Sequence, residues 1–549
     1  MGLVQVGIEP SNCGHCAFLN WFHDGYQPQL RLASDQSAIT GASLASRVDG
    51  NFDLSDISGC DQYFAYHFVT PVSATGRVPN FAGLAMTIDW QNGAAVTGVT
   101  GLGVSSIAPD LAHNKATFTL TGGGNTAVYL ALDATKAAPT AIRIYETGKA
   151  SQLDTYLMDP DWIAFFSRFG VLRMMDCMAT NNSEAVDYAN LPATSFALWS
   201  GASIANGRKV GWPAAALAEI ANRTGKPIWI NIPHQFTDAA VTSLLTALRD
   251  AITYAGNEVR LYIEYSNEVW NGSFAQNAYS ISQGGAAGWT SGNSFVKGRQ
   301  WTGYRAAQIM EIARTVFSTD SGAKWSGVLA TQHVSTAVTT SMLTGVAQHI
   351  SSDAGAASVQ TKLFSDIAHA WYFAPTVSSD STEPGLTLNS WLAQGQAYFN
   401  AQLYSITKLG AGTTSGYGSL DDGRATVLAQ KAIADANGFG MRLYEAGYSG
   451  ETSTGIQNTS PLVQAFVNFA DSWQCAQNEF DLRATFKSDT AGMPAQFTAN
   501  GPHSKFGSWG ARERFGDYAS ERANALEASN LGIVYLPGKS NMRVVMTSS

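Results

Sequence analysis

Val259-Arg260-Leu261-Tyr262-Ile263-Glu264-Tyr265-Ser266-Asn267-Glu268-Val269-Trp270-Asn271 reads as a buried strand that runs into a polar tip carrying Asn-Glu. Far downstream, Arg442-Leu443-Tyr444-Glu445-Ala446-Gly447 repeats that design, with Glu445 where the apolar run ends. Two-residue alternation puts Glu264, Ser266 and Glu268 on one side of the first stretch, and only Glu268 lies at the tip. A carboxylate on each of two strand ends points to an enzyme, because paired carboxyl groups can divide acid and base work between them.

Outward from these stretches, strand and helix alternate. Residues 160–169 form a predicted helix with Asp159 as N-cap and Pro160 at its first position, before a strand at 171–175 that ends in Asp176. In the predicted helix 213–224, Leu217, Ile220 and Ala221 make one apolar face, and the strand 227–232 follows, ending in Pro233-His234. A helix at 237–254 then delivers the chain to the strand at 260–266. Beyond it come a helix at 301–317, a strand at 327–331 ending in Gln332-His333, a helix at 342–350, and a strand at 363–368 running into His369, Ala370, Trp371 and Tyr372. Helices at 391–409 and 425–437 precede the strand at 441–444; a helix at 461–473 and a last strand at 506–510 complete the series, with the stretch before that strand unassigned.

With residues 4–8 as the first strand, these units predict a parallel sheet closed into a (β/α)8 TIM barrel, whose chemistry sits at the C-terminal strand ends. Those ends carry Glu9, Asp176, Asn231, His234, Asn267, Glu268, His333, His369, Tyr372, Glu445 and Trp509. Residues 37–148 break the pattern with short β segments and Gly, Asn, Asp and Pro turns, which predicts an inserted β-sandwich after the first barrel strand. The expected organisation is therefore 1–36 for the first strand and helix, 37–148 for the insertion, 149–515 for the rest of the barrel and 516–549 for a C-terminal extension.

Composition narrows the function. Among 549 residues only 14% are charged, against about 25% in ordinary soluble domains, while glycine and aromatic residues are plentiful. That suits an extracellular, carbohydrate-handling protein. A net charge of −9 without a basic run argues against nucleic acid, and no apolar run approaches the roughly 20 residues of a membrane span. The start, Met1-Gly2-Leu3-Val4-Gln5, lacks the features of a secretion signal. Extracellular or virion-associated work then requires a trimmed signal or another export route. Five scattered cysteines make no disulfide framework. Cys13-Gly14-His15-Cys16 matches a thiol-disulfide exchange motif, yet a β-rich stretch follows where a thioredoxin-like fold needs its α and β units; a local disulfide or packed thiols is the simpler reading. Zinc held by these cysteines with His15 and His23 lacks a second ligand pair at finger spacing.

Each strand-end residue has a plain structural reading: a single histidine is commonly a hydrogen-bonded structural group, a tryptophan commonly core, and either glutamate alone an ion-pair partner. The joint pattern, Glu on strands four and seven across one barrel mouth, carries more. Here Tyr265-Ser266-Asn267-Glu268-Val269-Trp270 resembles the Asn-Glu motif on strand four of clan A glycoside hydrolases, and Leu443-Tyr444-Glu445-Ala446-Gly447 resembles their strand-seven nucleophile motif. Leu172-Arg173-Met174-Met175-Asp176 with Thr180-Asn181-Asn182-Ser183 is also similar to bacterial and phage proteins of this barrel type. These motifs assign no family within the clan.

The resemblance implies retaining hydrolysis of a β-glycoside in a polysaccharide or oligosaccharide, with Glu268 as acid/base and Glu445 as nucleophile about 5–5.5 Å apart. It further implies that Asn267 bonds the sugar 2-hydroxyl, that His369 or Tyr372 orients Glu445, that Trp509 stacks on the sugar, and that Arg173 holds the nucleophile ionised. Asn231, His234 and His333 are further substrate-binding candidates, and the Trp289 and Trp371 regions are sugar platforms or packing. The chemistry needs no metal or organic cofactor, and the sequence leaves the oligomeric state open. The competing classes are a non-catalytic glycan-binding or phage tail adhesion protein and, with less support, a thiol-disulfide oxidoreductase.

Overall fold

The computed structural model describes residues 6–8, 29–69, 81–121, 125–199, 203–253, 260–289, 292–352, 359–374, 383–409, 419–450, 460–499, 501, 503, 507–512, 520–533 and 535–536. Glu9, Cys13, Cys16 and most of the segment 1–36 expected to hold the first helix lie outside the described residues.

Among the described residues, eight strands form one parallel sheet: β1 (Gly7–Ile8), β2 (Val171–Arg173), β3 (Ile228–Ile232), β4 (Leu261–Tyr265), β5 (Trp325–Ala330), β6 (Asp366–Phe373), β7 (Gly440–Tyr448) and β8 (Ala495–Gln496). Their order is β7-β6-β5-β4-β3-β2-β1-β8. The sheet curls until its ends meet: Leu443 N donates to Met493 O at 3.0 Å and Phe497 N to Ala446 O at 3.1 Å. The result is a mixed α/β unit with a nearly closed, barrel-like sheet.

Why these segments become strands is visible in β4. Leu261, Ile263 and Tyr265 pack outward against the helices, while Tyr262 packs inward. All five residues are buried, as a parallel sheet covered on both faces requires. The covering helices are amphipathic. In Asp238–Ala251, capped by the Thr237 hydroxyl on Ala240 N, the buried positions Val241, Leu244, Leu245 and Leu248 recur at three- and four-residue steps. Each of these leucines contributes about 1.5–3 kcal/mol by leaving water, so an aspartate at Leu245 would detach this helix.

Several elements depart from the sequence-based expectation. The eighth strand is not 506–510 but Ala495–Gln496, preceded by the eighteen-residue helix Trp473–Thr490. Met493-Pro494-Ala495-Gln496 is too short and too small to show an apolar strand run; parallel pairing with Gly7 and Ile8 defines it instead. The helix Ala275–Ala286 was not anticipated, because Ser, Gly and Gln dilute its periodicity. The helix expected at 391–409 is two helices, Glu383–Ala393 and Gln396–Leu409, parted at Gly395, whose φ of +101° suits glycine.

Two antiparallel sheets occupy the interruption. One has four strands and the other five, and Leu30, Tyr63, Ile88, Phe118, Leu130 and Ile144 from both share an apolar core. The second sheet begins with Gln29–Leu32, ahead of residue 37, since Leu30 pairs with both Ile39 and Tyr63. Phe196, Ala197 and Leu198, from the loop after β2, close the core, and Ala197 N donates to Asn51 O at 2.8 Å. At the other end, the helix Glu521–Leu531 is not a free extension. Its Leu526 is buried in the main core, and Asn530 accepts from Val6 N beside β1 at 3.1 Å. Among the described residues no helix is long and apolar enough to cross a membrane.

Candidate active site

Inside the barrel-like sheet the inward side chains form layers. At the strand starts, Arg442 donates to Asp366 at 2.7 Å and lies 4.3 Å from the centre of the Tyr262 ring. Above come Val171, Trp229, Val328 and Ala368. At the strand ends the layer turns polar, and one guanidinium organises it.

Arg173, the last residue of β2, is 1% exposed. Its Nη2 donates to both carboxylate oxygens of Glu264 at 3.1 Å and to Asn267 Oδ1 at 2.8 Å, while Nη1 donates to Glu445 Oε1 at 2.7 Å. Its flat faces rest near Tyr444 and Trp229, 4.9 and 5.6 Å from the ring centres. The other oxygen of Glu445 accepts from the Tyr372 hydroxyl at 2.6 Å. Glu445 is thus held by a cation on one oxygen and a hydroxyl donor on the other.

Glu268 has different company. Its Oε1 accepts from the Tyr444 hydroxyl at 3.2 Å and Oε2 from Asn271 at 2.9 Å, both neutral donors. Burial, and next the charge of Glu445, push its carboxyl up to about 7. Glu264, at 1% exposure, is also pushed up to about 7, first by burial, although Arg173 opposes the shift.

Backbone geometry aims these groups. Pairing across β6 and β7 slips between His369 and Ala370: His369 faces Leu443, but Ala370 faces Glu445, leaving Tyr444 as an extra residue on β7. Strict alternation would send Tyr444 and Glu445 to opposite faces; the bulge lets both reach Arg173. At the tip of β4, Ser266 and Glu268 adopt φ of +58° and +41°, a left-handed conformation costing about 1–2 kcal/mol each in a residue with a Cβ. Hydrogen bonds hold the tip there: Asn231 Nδ2 to Ser266 O at 2.7 Å, Gln276 Nε2 to Asn267 O at 2.8 Å, and Asn277 Nδ2 to Val269 O at 2.8 Å. Strain held by surrounding structure in this way is typical of functional sites.

No protein-family model matches this chain, and no curated protein matches it in sequence. Among solved structures, a 4-O-alpha-L-rhamnosyl-beta-D-glucuronidase from Fusarium oxysporum is similar at a TM-score of 0.33 and 10% identity, over 66% of this chain and 61% of that one. This chain therefore spans less than two thirds of the glucuronidase. A Bacteroides ovatus GH5 xyloglucanase, solved with a heptasaccharide, is similar at a TM-score of 0.27 and 11% identity, over 76% of this chain and 90% of that one. Likeness at this level transfers no chemistry, so the site stands on its own residues.

Of the residues singled out from sequence, Glu268, Glu445, Asn267, Arg173 and Tyr372 form one hydrogen-bonded or charge-coupled cluster, with Asn231 beside Glu264 beneath it. Trp509 stands at the rim, its ring edge-on to Tyr372 at 4.9 Å between centres. Gly507 makes room for it, since a Cβ there would come 2.2 Å from the indole nitrogen.

The three histidines are elsewhere. His369 lies on the outer face of β6 because Ala368, Ala370 and Tyr372 take the inner one; its Nδ1 is 3.1 Å from Nδ1 of His333, and its ring meets Phe486. His333 stacks on Trp371, which is fully buried behind the sheet and is packing rather than a platform. Burial holds His369 down to about 4 and His333 well below the ordinary imidazole value. His234 packs against Tyr279, and burial lowers it to about 4. Trp289 packs edge-on against Tyr304.

Sequence reading did not single out Tyr444, Asn181, Gln276, Asn271 or Trp270. Asn181 Oδ1 accepts from Asn267 Nδ2 at 3.0 Å and from Gln276 at 2.9 Å, which fixes the orientation of the Asn267 amide. Trp270 lies 6.1 Å from Tyr444 at the mouth. Tyr444 and Trp270 sat within the quoted motifs, so adjacency to each glutamate was the available signal. Among the described residues, no three His, Cys, Asp or Glu side chains group so as to hold a metal ion.

Proposed function

We propose that this chain is a retaining glycoside hydrolase of the clan A type, acting on β-glycosidic bonds of a polysaccharide at the mouth of a (β/α)8 barrel. One observation carries the reading: two glutamates on β4 and β7 are coupled to each other yet held in opposite surroundings. Glu445 meets Arg173 and the Tyr372 hydroxyl, whereas Glu268 meets only neutral donors and is pushed up to about 7. Double displacement needs two carboxyl groups in different roles, and the one it needs as acid is Glu268, which burial helps to keep protonated near neutrality.

In the first step the Glu445 carboxylate attacks the anomeric carbon, the bond to the glycosidic oxygen breaks, and that oxygen takes the Glu268 proton. Water then attacks the glycosyl ester, gives its proton to Glu268 and releases Glu445. Arg173 and Tyr372 keep the nucleophile aligned, because each holds a different oxygen of its carboxylate. Asn267 is oriented by Arg173 on one side and Asn181 on the other, which leaves its second N–H for a sugar hydroxyl. Trp509 and Trp270 flank the mouth and offer aromatic surface for a sugar ring. The proposed place of this work is outside the cell or on a virion, where surface polysaccharides are met.

The test is incubation with β-glucans, xylans, mannans and bacterial capsular glycans, with Glu445→Gln in parallel. Reducing ends released by the parent and not by the variant are expected. No product from any glycan would favour a glycan-binding protein, and product persisting in Glu445→Gln would remove the nucleophile assignment.

A further inference from the structure

Behind the site lies a second buried charge cluster that the chemistry above does not use. Glu479, on the helix Trp473–Thr490, and Arg522, on the helix Glu521–Leu531, are both fully buried. Arg522 donates to Glu479 Oε1 from Nε at 3.0 Å and from Nη2 at 2.7 Å. The same oxygen accepts from Tyr448 N, the last residue of β7, at 3.0 Å. Arg522 Nη1 donates to Ser508 O at 2.5 Å, and Nη2 reaches Trp509 O at 3.4 Å and Tyr448 O at 3.5 Å. One guanidinium thus spans two pieces of backbone, the end of the strand that carries Glu445 and the segment that carries Trp509.

Other features fit tightly to this arrangement. Gly447 has a φ of +128°, and a Cβ there would come 2.9 Å from Glu479 Oε1 and 2.6 Å from Gln496 Nε2. Arg483 donates to Gln496 on β8 at 2.8 Å and lies 3.7 Å from Glu479. His503 Nε2 lies 3.0 Å from Gly510 O, on the far side of Trp509, and 3.2 Å from Arg522. Ser508 N donates to Ser449 O at 2.7 Å, so the Trp509 segment is already laid against the end of β7. A planar fork bonding several acceptors at once is a role lysine cannot fill, being a single point charge on a flexible stem.

We propose that Arg522 is a positioning residue for the active site, locking the Trp509 segment to the end of β7 through Glu479 and so setting the indole ring against Tyr372, whose hydroxyl holds Glu445. This rests on the hydrolase reading for its kinetic consequence, but not for its structural one. It gives the helix Glu521–Leu531 a part in the site from behind the sheet.

The experiment compares Arg522→Lys with Leu526→Ala, a core truncation on the same helix that loosens its packing without touching the clamp. Both are labelled with 5-fluorotryptophan, and the Trp509 resonance among the 14 tryptophans is assigned with Trp509→Phe. The expected result is a shifted or broadened Trp509 signal in Arg522→Lys alone, with KM on a cleaved glycan raised about tenfold, the worth of one positioning contact. The pH profile set by Glu268 stays where it was. A Trp509 signal unmoved in Arg522→Lys, or moved equally by Leu526→Ala, overturns the proposal. Should Arg522→Lys not fold, the double variant Glu479→Gln/Arg522→Gln, which removes the pair together, takes its place under the same criterion. If the parent cleaves no glycan, the hydrolase reading falls while the fluorine comparison still decides the clamp.

Discussion

The two ends of the barrel interior hold the same kinds of group in different proportion. At the strand starts one arginine meets one carboxylate, Arg442 with Asp366. At the strand ends one arginine, Arg173, is shared by Glu264 and Glu445, with Glu268 coupled to the group as a further carboxylate. β7 contributes to both, Arg442 at its start and Glu445 near its end. A balanced pair satisfies itself and serves the fold. An unbalanced set cannot be fully ionised at low cost in a buried site, so a proton resides there near neutral pH, and proton transfer is what the site then offers.

The sharpest attempt to break this contrast is Glu445→Gln, where cleavage should fall about 10,000-fold or more, as when a nucleophile is removed. Single-turnover product analysis reads it. A smaller loss, about 100- to 10,000-fold, is expected of Glu268→Gln on natural glycans, and far less on aryl glycosides whose leaving groups need no proton. Equal losses on both substrates would deny Glu268 the acid role.

At the other end, Asp366→Asn breaks the mostly buried pair with Arg442 and should cost about 3 kcal/mol of stability, read by urea unfolding. kcat should not change; a parallel fall in kcat would show that the two ends are not separable.

The smallest effects concern protons. Glu268 must hold its proton to act as acid, so kcat/KM should fall as pH rises through about 7. Tyr444→Phe removes a donor that favours the ionised form, which moves that alkaline limb upward by less than about one unit. Glu445→Gln removes a neighbouring negative charge and should lower the Glu268 value, while burial still keeps it above an ordinary glutamate. Titration of Glu268 by carbon-detected NMR in that inactive variant measures the shift; a rise would reverse the assigned cause.

The strand ends that matter were legible because a parallel sheet imposes a pattern: buried runs separated by amphipathic helices, with polar residues where each run stops. Glu268, Asn267 and Glu445 stand out in this way, each at or near the end of such a run, whereas Arg173 enters only through the resemblance to clan A glycoside hydrolases. Alternation puts His369 and Tyr372 on opposite faces of β6 but does not say which face looks inward; that is decided by packing, which takes Ala368, Ala370 and Tyr372 into the interior. The β6–β7 slip turns Tyr444 inward beside Glu445. β8 was missed because its identity comes from the neighbours it bonds, and Trp509 was placed on a strand when it belongs to the segment laid against that strand's continuation at Thr498.

By itself, then, the sequence determined which residues carry ionisable and aromatic chemistry and where the strongly periodic strands and helices lie, since local periodicity and capping are written in neighbouring residues. Only the tertiary structure decided how a single guanidinium is divided between carboxylates, which face of β6 looks into the mouth, and that Arg522 from the last described helix lies behind it. Those outcomes depend on register and burial across hundreds of residues. The energies that settle them, desolvation of charge and the geometry of shared hydrogen bonds, exist only once the chain has closed around them.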